Sequence, residues 1–146
     1  MANNLRLFDF LVQQGKISQE DADQYKKEIE SSGIQPENFI IEKKILGESD
    51  TYKIKSQILG VPIRLFDEDE VIPDDVLKEV SEDAARNYYL IPFRKIENFL
   101  EVGMVNPDDI KARDALRFIL LRKGYEPWIY LITPCDFNRL VKHYKT

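Results

Sequence analysis

The sequence predicts an α+β fold in which a bundle of four short helices is followed by a small mixed β-sheet with packed helices. Helical periodicity fills residues 5–59 and divides into two similar helix pairs. Residues 99–132 then have the pattern of a strand, a helix and a second strand. We therefore expect a helical repeat subdomain over residues 1–60 and an α/β subdomain over residues 61–146.

Each of the expected N-terminal helices has a start or a stop signal. Gly15 and Gly60 are placed to end the first and the fourth helix, because glycine readily adopts the left-handed conformation found there. Ser18 is placed to cap the second helix and Ser49 the fourth. Pro36 suits the first position of the third helix, where its missing N–H is not needed.

The helices form two degenerate copies of one helix pair, related by a constant offset along the chain. Phe10-Leu11-Val12 aligns with Phe39-Ile40-Ile41, and Ile17 aligns with Leu46. A pair of helices this short cannot form a core of its own, so the two copies should pack against each other.

The second half of the chain alternates short strands with helices. The expected elements are, in order, a strand at 63–66, an acidic loop at 67–70, helices from Pro73 and from Ser81, and strands at 89–95 and 99–105 joined by a turn at Glu97-Asn98. Leu100, Val102 and Met104 share one face of the last strand, because side chains alternate along a strand. A parallel partner strand is expected at 127–133, with Trp128 in the core, followed by a helix at 135–144.

A long amphipathic helix should connect the two parallel strands. Asn106 is placed as its N-cap and Pro107 as its first residue. Asp108 and Asp109 would then lie in the first turn, where negative charge favours the helix dipole. Gly124 is placed as the stop signal.

Composition restricts the classes of function. With 146 residues the chain can bury about 68–70% of its unfolded surface, which is enough for a hydrophobic core. A net charge of −5 argues against a nucleic-acid surface, which needs basic patches. The single cysteine, Cys135, excludes an internal disulfide and suits a reducing compartment. Without a bilayer-spanning run or a secretion signal, we expect a cytoplasmic protein.

Several segments resemble the N-terminal domain of the type II secretion and type IV pilus assembly ATPases. Residues 102–109 are similar to that family's V-A-M-x-D/N-P corner between a strand and a helix. Ala115-Leu116-Arg117-Phe118 is similar to the D-x-L/I-R-F segment of the following helix. The likeness extends to the segments 63–67, 84–86, 90–93 and 135–137.

The resemblance implies a non-catalytic regulatory and docking domain. The full-length protein would continue into a hexameric ATPase, and this domain would link the motor to an inner-membrane platform protein or a cytoplasmic partner. The implied location is the cytoplasm, at the inner membrane through a partner, without direct membrane insertion and without nucleic acid. ATP would bind only in a downstream domain, because the chain contains no G-x-x-x-x-G-K-[ST] phosphate loop.

In some members of that family each repeat copy carries the pattern R-L-G-x-x-L-V-x-x-G-x-I, and two copies bind cyclic di-GMP. Arg6, Leu7, Leu11 and Gly15 match the first copy here, so the resemblance implies them as ligand residues. Phe8 replaces the first glycine, and the second copy has lost its arginine and both glycines. We expect helices kept for packing and docking, with a cyclic di-GMP sensor as the alternative.

No catalytic or metal site can be assembled from the sequence. His143 is the only histidine, which excludes sites with two or more histidine ligands. The acidic loop at 67–70 lacks the glycine and the terminal glutamate of a calcium loop, so a solvated loop is expected. A small enzyme is therefore the least supported alternative.

Overall fold

In the computed structural model the chain divides into two compact units, one ending at Gly60 and the other beginning at Val61. The structure describes residues 2–144, with the side chains of residues 5–144. Among these residues, no helix combines the length and the apolar character needed to cross a membrane. The two units are described separately below.

The N-terminal unit is a bundle of four helices: α1 (Ala2–Gln13), α2 (Gln19–Ser32), α3 (Pro36–Glu42) and α4 (Glu48–Leu59). Helices this short are marginal in isolation, so packing against one another stabilises them. Their shared core consists of Leu7, Phe8, Leu11, Ala22, Ile29, Phe39 and Ile40. The predicted helical bundle is confirmed.

The signals at the helix ends act largely as predicted. The hydroxyl of Ser18 accepts a hydrogen bond of 3.0 Å from the N–H of Asp21 and so caps α2. Gly60 follows α4 in the left-handed conformation, with a φ of 69°. The prediction that Ser49 caps α4 is wrong. The cap is Gly47, whose extended backbone lets its carbonyl accept the N–H of Thr51 at 3.0 Å.

The two helix pairs repeat in backbone geometry as well as in sequence. Two hydrogen bonds close the turn after α1, and the same two bonds close the turn after α3 at the equivalent positions. In the first turn, the N–H of Gly15 donates to the carbonyl of Val12 (3.0 Å) and the N–H of Lys16 to that of Leu11 (2.9 Å). In the second turn, the N–H of Lys44 donates to the carbonyl of Ile41 (3.1 Å) and the N–H of Ile45 to that of Ile40 (3.1 Å). The predicted internal repeat is therefore confirmed.

The repeat places glycine in one turn and lysine in the other at equivalent left-handed positions. The φ angle is 74° at Gly15 and 59° at Lys44. Lys44→Gly is expected to raise the free energy of unfolding by up to ~1 kcal/mol, because it removes backbone strain. Gly15→Ala is expected to lower it by about 1 kcal/mol, through backbone strain alone. Urea denaturation checks both, and shifts of the same sign would contradict the expectation.

The C-terminal unit contains a mixed sheet of β1 (Leu90–Ile96), β2 (Phe99–Met104) and β3 (Glu126–Leu131), in that order. β1 pairs antiparallel with β2, and β2 pairs parallel with β3. The helical segments of this unit are α5 (Asp74–Leu77), α6 (Glu82–Tyr88), α7 (Ile110–Leu121), α8 (Pro134–Leu140) and a 3₁₀ turn at Val141–His143. The predicted mixed sheet with a crossover helix is confirmed.

Two elements of this unit are shorter than predicted. The strand expected at 63–66 is reduced to a single bridge between Ile63 and Leu131. The last helix begins at Pro134, where the hydroxyl of Thr133 accepts the N–H of Asp136 at 3.1 Å, and it tightens into a 3₁₀ turn after Leu140. Tightening of a final helical turn is common because the last carbonyls lack helical partners.

The corner between β2 and α7 differs from the prediction at its cap. Asn106 does not cap the helix, because its carbonyl accepts the N–H of Asp109 at 3.0 Å and closes a turn. Asp109 caps α7 instead: its carboxylate accepts the N–H of Lys111 at 3.0 Å and of Ala112 at 3.4 Å. The helix therefore starts at Ile110, and the aspartates precede its first turn.

The two faces of the sheet have different surroundings. Leu100, Val102 and Met104 are fully buried on one face, as predicted. The prediction that Trp128 is a core residue is wrong, because its side chain is 44% exposed. Alternation along β3 directs it away from the face that carries Leu131, and its ring stacks on Phe99 at a centroid distance of 4.5 Å.

Gly103 has no room for a side chain. A Cβ at this position would lie 2.5 Å from Cγ2 of Ile132. Gly103→Ala is therefore expected to lower the free energy of unfolding by about 1–3 kcal/mol through overpacking. In an Ile132→Ala background, Gly103→Ala should lower the free energy of unfolding by clearly less. A double-mutant cycle measures the difference. Equal costs in the two backgrounds would contradict the expectation.

Candidate functional site

The predicted ligand residues lie on α1 and in the turn after it, but they do not share one surface. Leu7 and Leu11 are buried in the bundle core, whereas Arg6 and Gly15 are exposed. Residues four apart lie on the same face of a helix, and this face of α1 packs inward. The structure therefore brings Leu7 and Leu11 together as core residues and leaves Arg6 and Gly15 at the surface.

Phe8 takes the place of the first glycine of the ligand pattern, and its side chain is fully buried. Its ring centroid lies 6.1 Å from that of Tyr25 and 6.0 Å from that of Phe39. Tyr25 and Phe39 are themselves 5.2 Å apart, so α1, α2 and α3 meet in one aromatic cluster. Aromatic pairs at these distances attract beyond simple burial. At this position the chain has a packing residue.

Glu37 takes the equivalent place in the second copy and is also buried. Its Oε2 accepts a hydrogen bond of 2.9 Å from Nζ of Lys55, and the two side chains are only 4% and 3% exposed. The ammonium group lies 5.1 Å from the centre of the Tyr52 ring. Oε1 of Glu37 has no hydrogen-bond partner among the described residues. The second copy therefore has a buried ion pair at the position of the pattern's first glycine.

The acidic loop of the C-terminal unit is tied to a neighbouring arginine. Glu70 accepts hydrogen bonds of 3.1 and 2.9 Å from the guanidinium of Arg64, and one of 2.9 Å from the N–H of Asp67. The bonds from Arg64 hold the pKa of Glu70 below its usual range. Within the described residues, no group of three or more histidine, cysteine or acidic side chains could hold a metal ion.

Glu79 links three parts of the C-terminal unit through its carboxylate. Nζ of Lys95, on β1, lies 2.6 Å away, Nζ of Lys123 lies 3.3 Å away, and the hydroxyl of Tyr125 donates at 3.1 Å. Burial alone would raise the pKa of Glu79, but these three donors outweigh it and hold the pKa below its usual range. The hydrogen bond to Glu79 in turn raises the pKa of Lys95.

This cluster predicts a loss of stability in acid. Because the pKa of Glu79 is lower in the folded than in the unfolded chain, the unfolded chain takes up the proton first. The contribution of Glu79 to stability is therefore fully present above the ordinary glutamate pKa of about 4.3, and it is lost as the pH falls through the folded-state pKa. Between about pH 6 and about pH 3, urea denaturation should show a smaller loss of unfolding free energy for Glu79→Gln than for the wild type. Exposed Glu20→Gln is the control, and identical slopes for Glu79→Gln and wild type would contradict the expectation.

An exposed apolar surface on α7 was not predicted from the sequence. Ile110, Phe118 and Leu121 are 72%, 63% and 74% exposed, although all three belong to a helix whose opposite face is buried through Ala112 and Leu116. A helix at the surface of a globular domain usually has a single apolar stripe, which faces the core, and polar residues on the opposite face. The signal that could have found this surface is the second set of apolar residues, which the sequence carries at helical spacing.

Comparison with known proteins identifies the family and the fold. The sequence profile described as the MshEN domain matches residues 59–145. Type IV pilus assembly ATPase PilB of Myxococcus xanthus (strain DK1622) is 28% identical over 140 residues, which cover 95% of this chain and 24% of PilB. The chain thus spans about a quarter of the length of this relative.

Two solved structures share the fold over nearly the whole chain. The structure of MshE with cdg (cyclic di-GMP) superimposes with a TM-score of 0.81 at 21% identity, covering 95% of this chain and 98% of that one. The N-terminal domain of XpsE gives a TM-score of 0.67 at 18% identity, covering 99% and 96%. The resemblance predicted from the sequence is confirmed, and because the family profile matches more than half of the residues, the chain belongs to the MshEN domain family.

Proposed function

We propose that this chain is the non-catalytic N-terminal regulatory and docking domain of a type IV pilus or type II secretion assembly ATPase. One observation carries the proposal: the similarity to an assembly ATPase extends over 95% of this chain but over only 24% of that protein. The remainder of such a protein would hold the hexameric motor and the ATP site. This domain would link that motor to an inner-membrane platform protein or another cytoplasmic partner.

The organisation of the chain supports a binding role. The positions that match the ligand pattern of the first copy contribute two core residues, and the first glycine position of each copy holds a buried residue, Phe8 in one and Glu37 in the other. We assign residues 1–60 as a helical repeat subdomain and residues 61–146 as an α/β subdomain, with the division at Gly60 in support. In this assignment both subdomains act as rigid supports for exposed docking surfaces rather than as reaction sites.

Deletion of residues 1–146 from the full-length ATPase tests the proposal. We expect the truncated protein to hydrolyse ATP in solution, because the motor lies downstream. In cells that lack the natural protein, it should fail to restore pilus assembly or secretion. Normal assembly by the truncated protein would refute the docking role, and turnover of ATP by the isolated chain would refute the non-catalytic one.

A cyclic di-GMP sensor is the second candidate function. It is favoured by the fold shared with MshE in its structure with cdg, and by the exposure of Arg6, the charged residue of the pattern. Arg6 and Gly15 would then contact the ligand from the surface, with Leu7 and Leu11 supporting them from the core. Calorimetric titration of the chain with cyclic di-GMP tests this function. Saturable binding that Arg6→Ala abolishes and exposed Lys16→Ala preserves would establish this function, and absence of a binding heat would exclude it.

A further inference from the structure

Helix α7 presents a stripe of apolar side chains to solvent. Phe118 and Leu121 are three residues apart and therefore adjacent on the helix surface, and Ile110 lies two turns before Phe118 on the same side. All three side chains are more than three-fifths exposed. Large exposed apolar side chains are unremarkable when scattered, but several of them on one side of a helix mark an interaction surface.

The stripe borders a shallow pocket of about 350 Å³. Phe118, Ile119, Arg122 and Lys123 line it, so its walls are an aromatic ring, an aliphatic side chain and the apolar stems of two long basic residues. Interfaces between proteins are commonly anchored by a large side chain that fills such a pocket. A flat lipid surface would leave it empty.

Four basic side chains flank the stripe: Lys111, Arg113, Arg117 and Arg122. Among the described residues, none of the four takes part in an ion pair, and Arg122 lies 5.8 Å from the centre of the Phe118 ring. The helix itself carries a single acidic residue, Asp114, which lies on the same side as the stripe. The excess of positive charge on this helix, in a chain with a net charge of −5, is complementary to an acidic ligand.

We propose that the α7 surface, defined as Ile110, Phe118 and Leu121 with the four basic residues above, docks an acidic amphipathic helix of a partner protein. An apolar anchor of that helix fills the pocket beside Phe118, and its carboxylates face Arg113 and Arg117. A helix fits because the apolar side chains extend along about three turns of α7, with Asp114 between Ile110 and Phe118, as in helix-in-groove recognition. The inference rests on the proposed docking function and names the surface and the partner chemistry for it.

A designed peptide tests the surface itself. The probe is a synthetic amphipathic helix with a leucine stripe flanked by glutamates, labelled for fluorescence anisotropy, and the control peptide replaces every glutamate with lysine. The chain should bind the acidic peptide and not the basic one. Phe118→Ala and Arg117→Glu should each weaken binding by roughly tenfold or more. Binding unaffected by these variants would overturn the inference.

Matched variants control for nonspecific effects. Val71 is as exposed as Leu121 but lies outside α7, so Val71→Ala should leave peptide affinity unchanged whereas Leu121→Ala should reduce it. Lys27→Glu provides an exposed charge reversal on α2. Unchanged circular dichroism of each variant shows that the fold is intact.

Vesicles distinguish a partner helix from a membrane. Co-sedimentation with vesicles of phosphatidylcholine and phosphatidylglycerol, mixed two to one, should show no binding that depends on Phe118. Vesicle binding that Phe118→Ala abolishes would overturn the inference in favour of an anionic membrane surface.

The full-length ATPase separates this inference from the proposed function. Its inner-membrane platform protein should bind the wild type, and Phe118→Ala and Arg117→Glu should weaken that binding by a similar factor. Platform binding that is lost on deletion of residues 1–146 but not in these variants would overturn the α7 inference and leave the docking function standing. Platform binding that persists without residues 1–146 would refute the docking function.

Discussion

Phe8→Ala is expected to lower the free energy of unfolding of the N-terminal unit by about 3–5 kcal/mol. The ring is fully buried, and it contacts the rings of Tyr25 and Phe39 from two other helices. Removing it leaves a cavity that three short helices cannot fill, because each depends on the others for stability. Urea denaturation followed by circular dichroism measures the change.

Phe118→Ala provides the matched control, since this phenylalanine is exposed and should change stability by less than ~0.5 kcal/mol. Phe8→Gly, which restores the residue of the ligand pattern, should unfold the bundle further rather than create a binding site. A stability loss below about 1 kcal/mol for Phe8→Ala would show that the ring is not an essential packing element.

Lys55→Ala is expected to lower the free energy of unfolding by about 3–5 kcal/mol, because it leaves the carboxylate of Glu37 buried without its cation. The two groups are 2.9 Å apart, and both side chains are almost inaccessible to solvent. Replacing both partners with apolar residues, as in Glu37→Leu with Lys55→Met, should recover most of the loss. Thermal and urea denaturation of the single and the double variant, each compared with the wild type, measure these effects.

The internal repeat supplies the control for this prediction. Lys26 is the residue equivalent to Lys55 in the first copy, and its Nζ lies 2.7 Å from a carboxylate oxygen of Asp9. This pair is partly exposed to solvent, so Lys26→Ala should cost less than ~1 kcal/mol. Equal losses of unfolding free energy for Lys26→Ala and Lys55→Ala would show that the buried pair contributes no more to stability than the partly exposed one.

Local signals in the sequence are enough to predict most of the fold. Ser18 and Gly60 mark helix ends through short-range hydrogen bonds and backbone preference, which depend on few other residues. The constant offset between the two copies is visible because both helix pairs have apolar residues at several equivalent positions, such as the buried Leu11 and Ile40. Leu100, Val102 and Met104 can be placed on one face because strand alternation is a local property.

Features that depend on distant residues or on small energy differences are not predictable in this way. Asn106 and Asp109 are similarly good caps, so a turn between them decides where α7 begins. Trp128 is exposed because its face of the sheet is left open at that end. The pair of Glu37 and Lys55 joins two separate helices, and nothing in the sequence alone indicates that both are buried.

The candidate site likewise has features that the sequence predicts and features that it does not. Burial of Leu7 and Leu11 follows from helical spacing, whereas the role of Arg6 depends on a ligand that spacing does not reveal. The α7 surface requires knowledge of which side of the helix the sheet covers. Before that is known, Phe118 is as plausible a core residue as Leu116.

Binding of the platform protein to the full-length ATPase, compared with the same protein lacking residues 1–146, tests the docking role most directly. Biolayer interferometry at physiological salt gives the two dissociation constants. We expect saturable binding by the full-length protein and none by the truncated one, while both retain ATP hydrolysis. Equal affinities would contradict the proposal that this chain holds the motor to its partner.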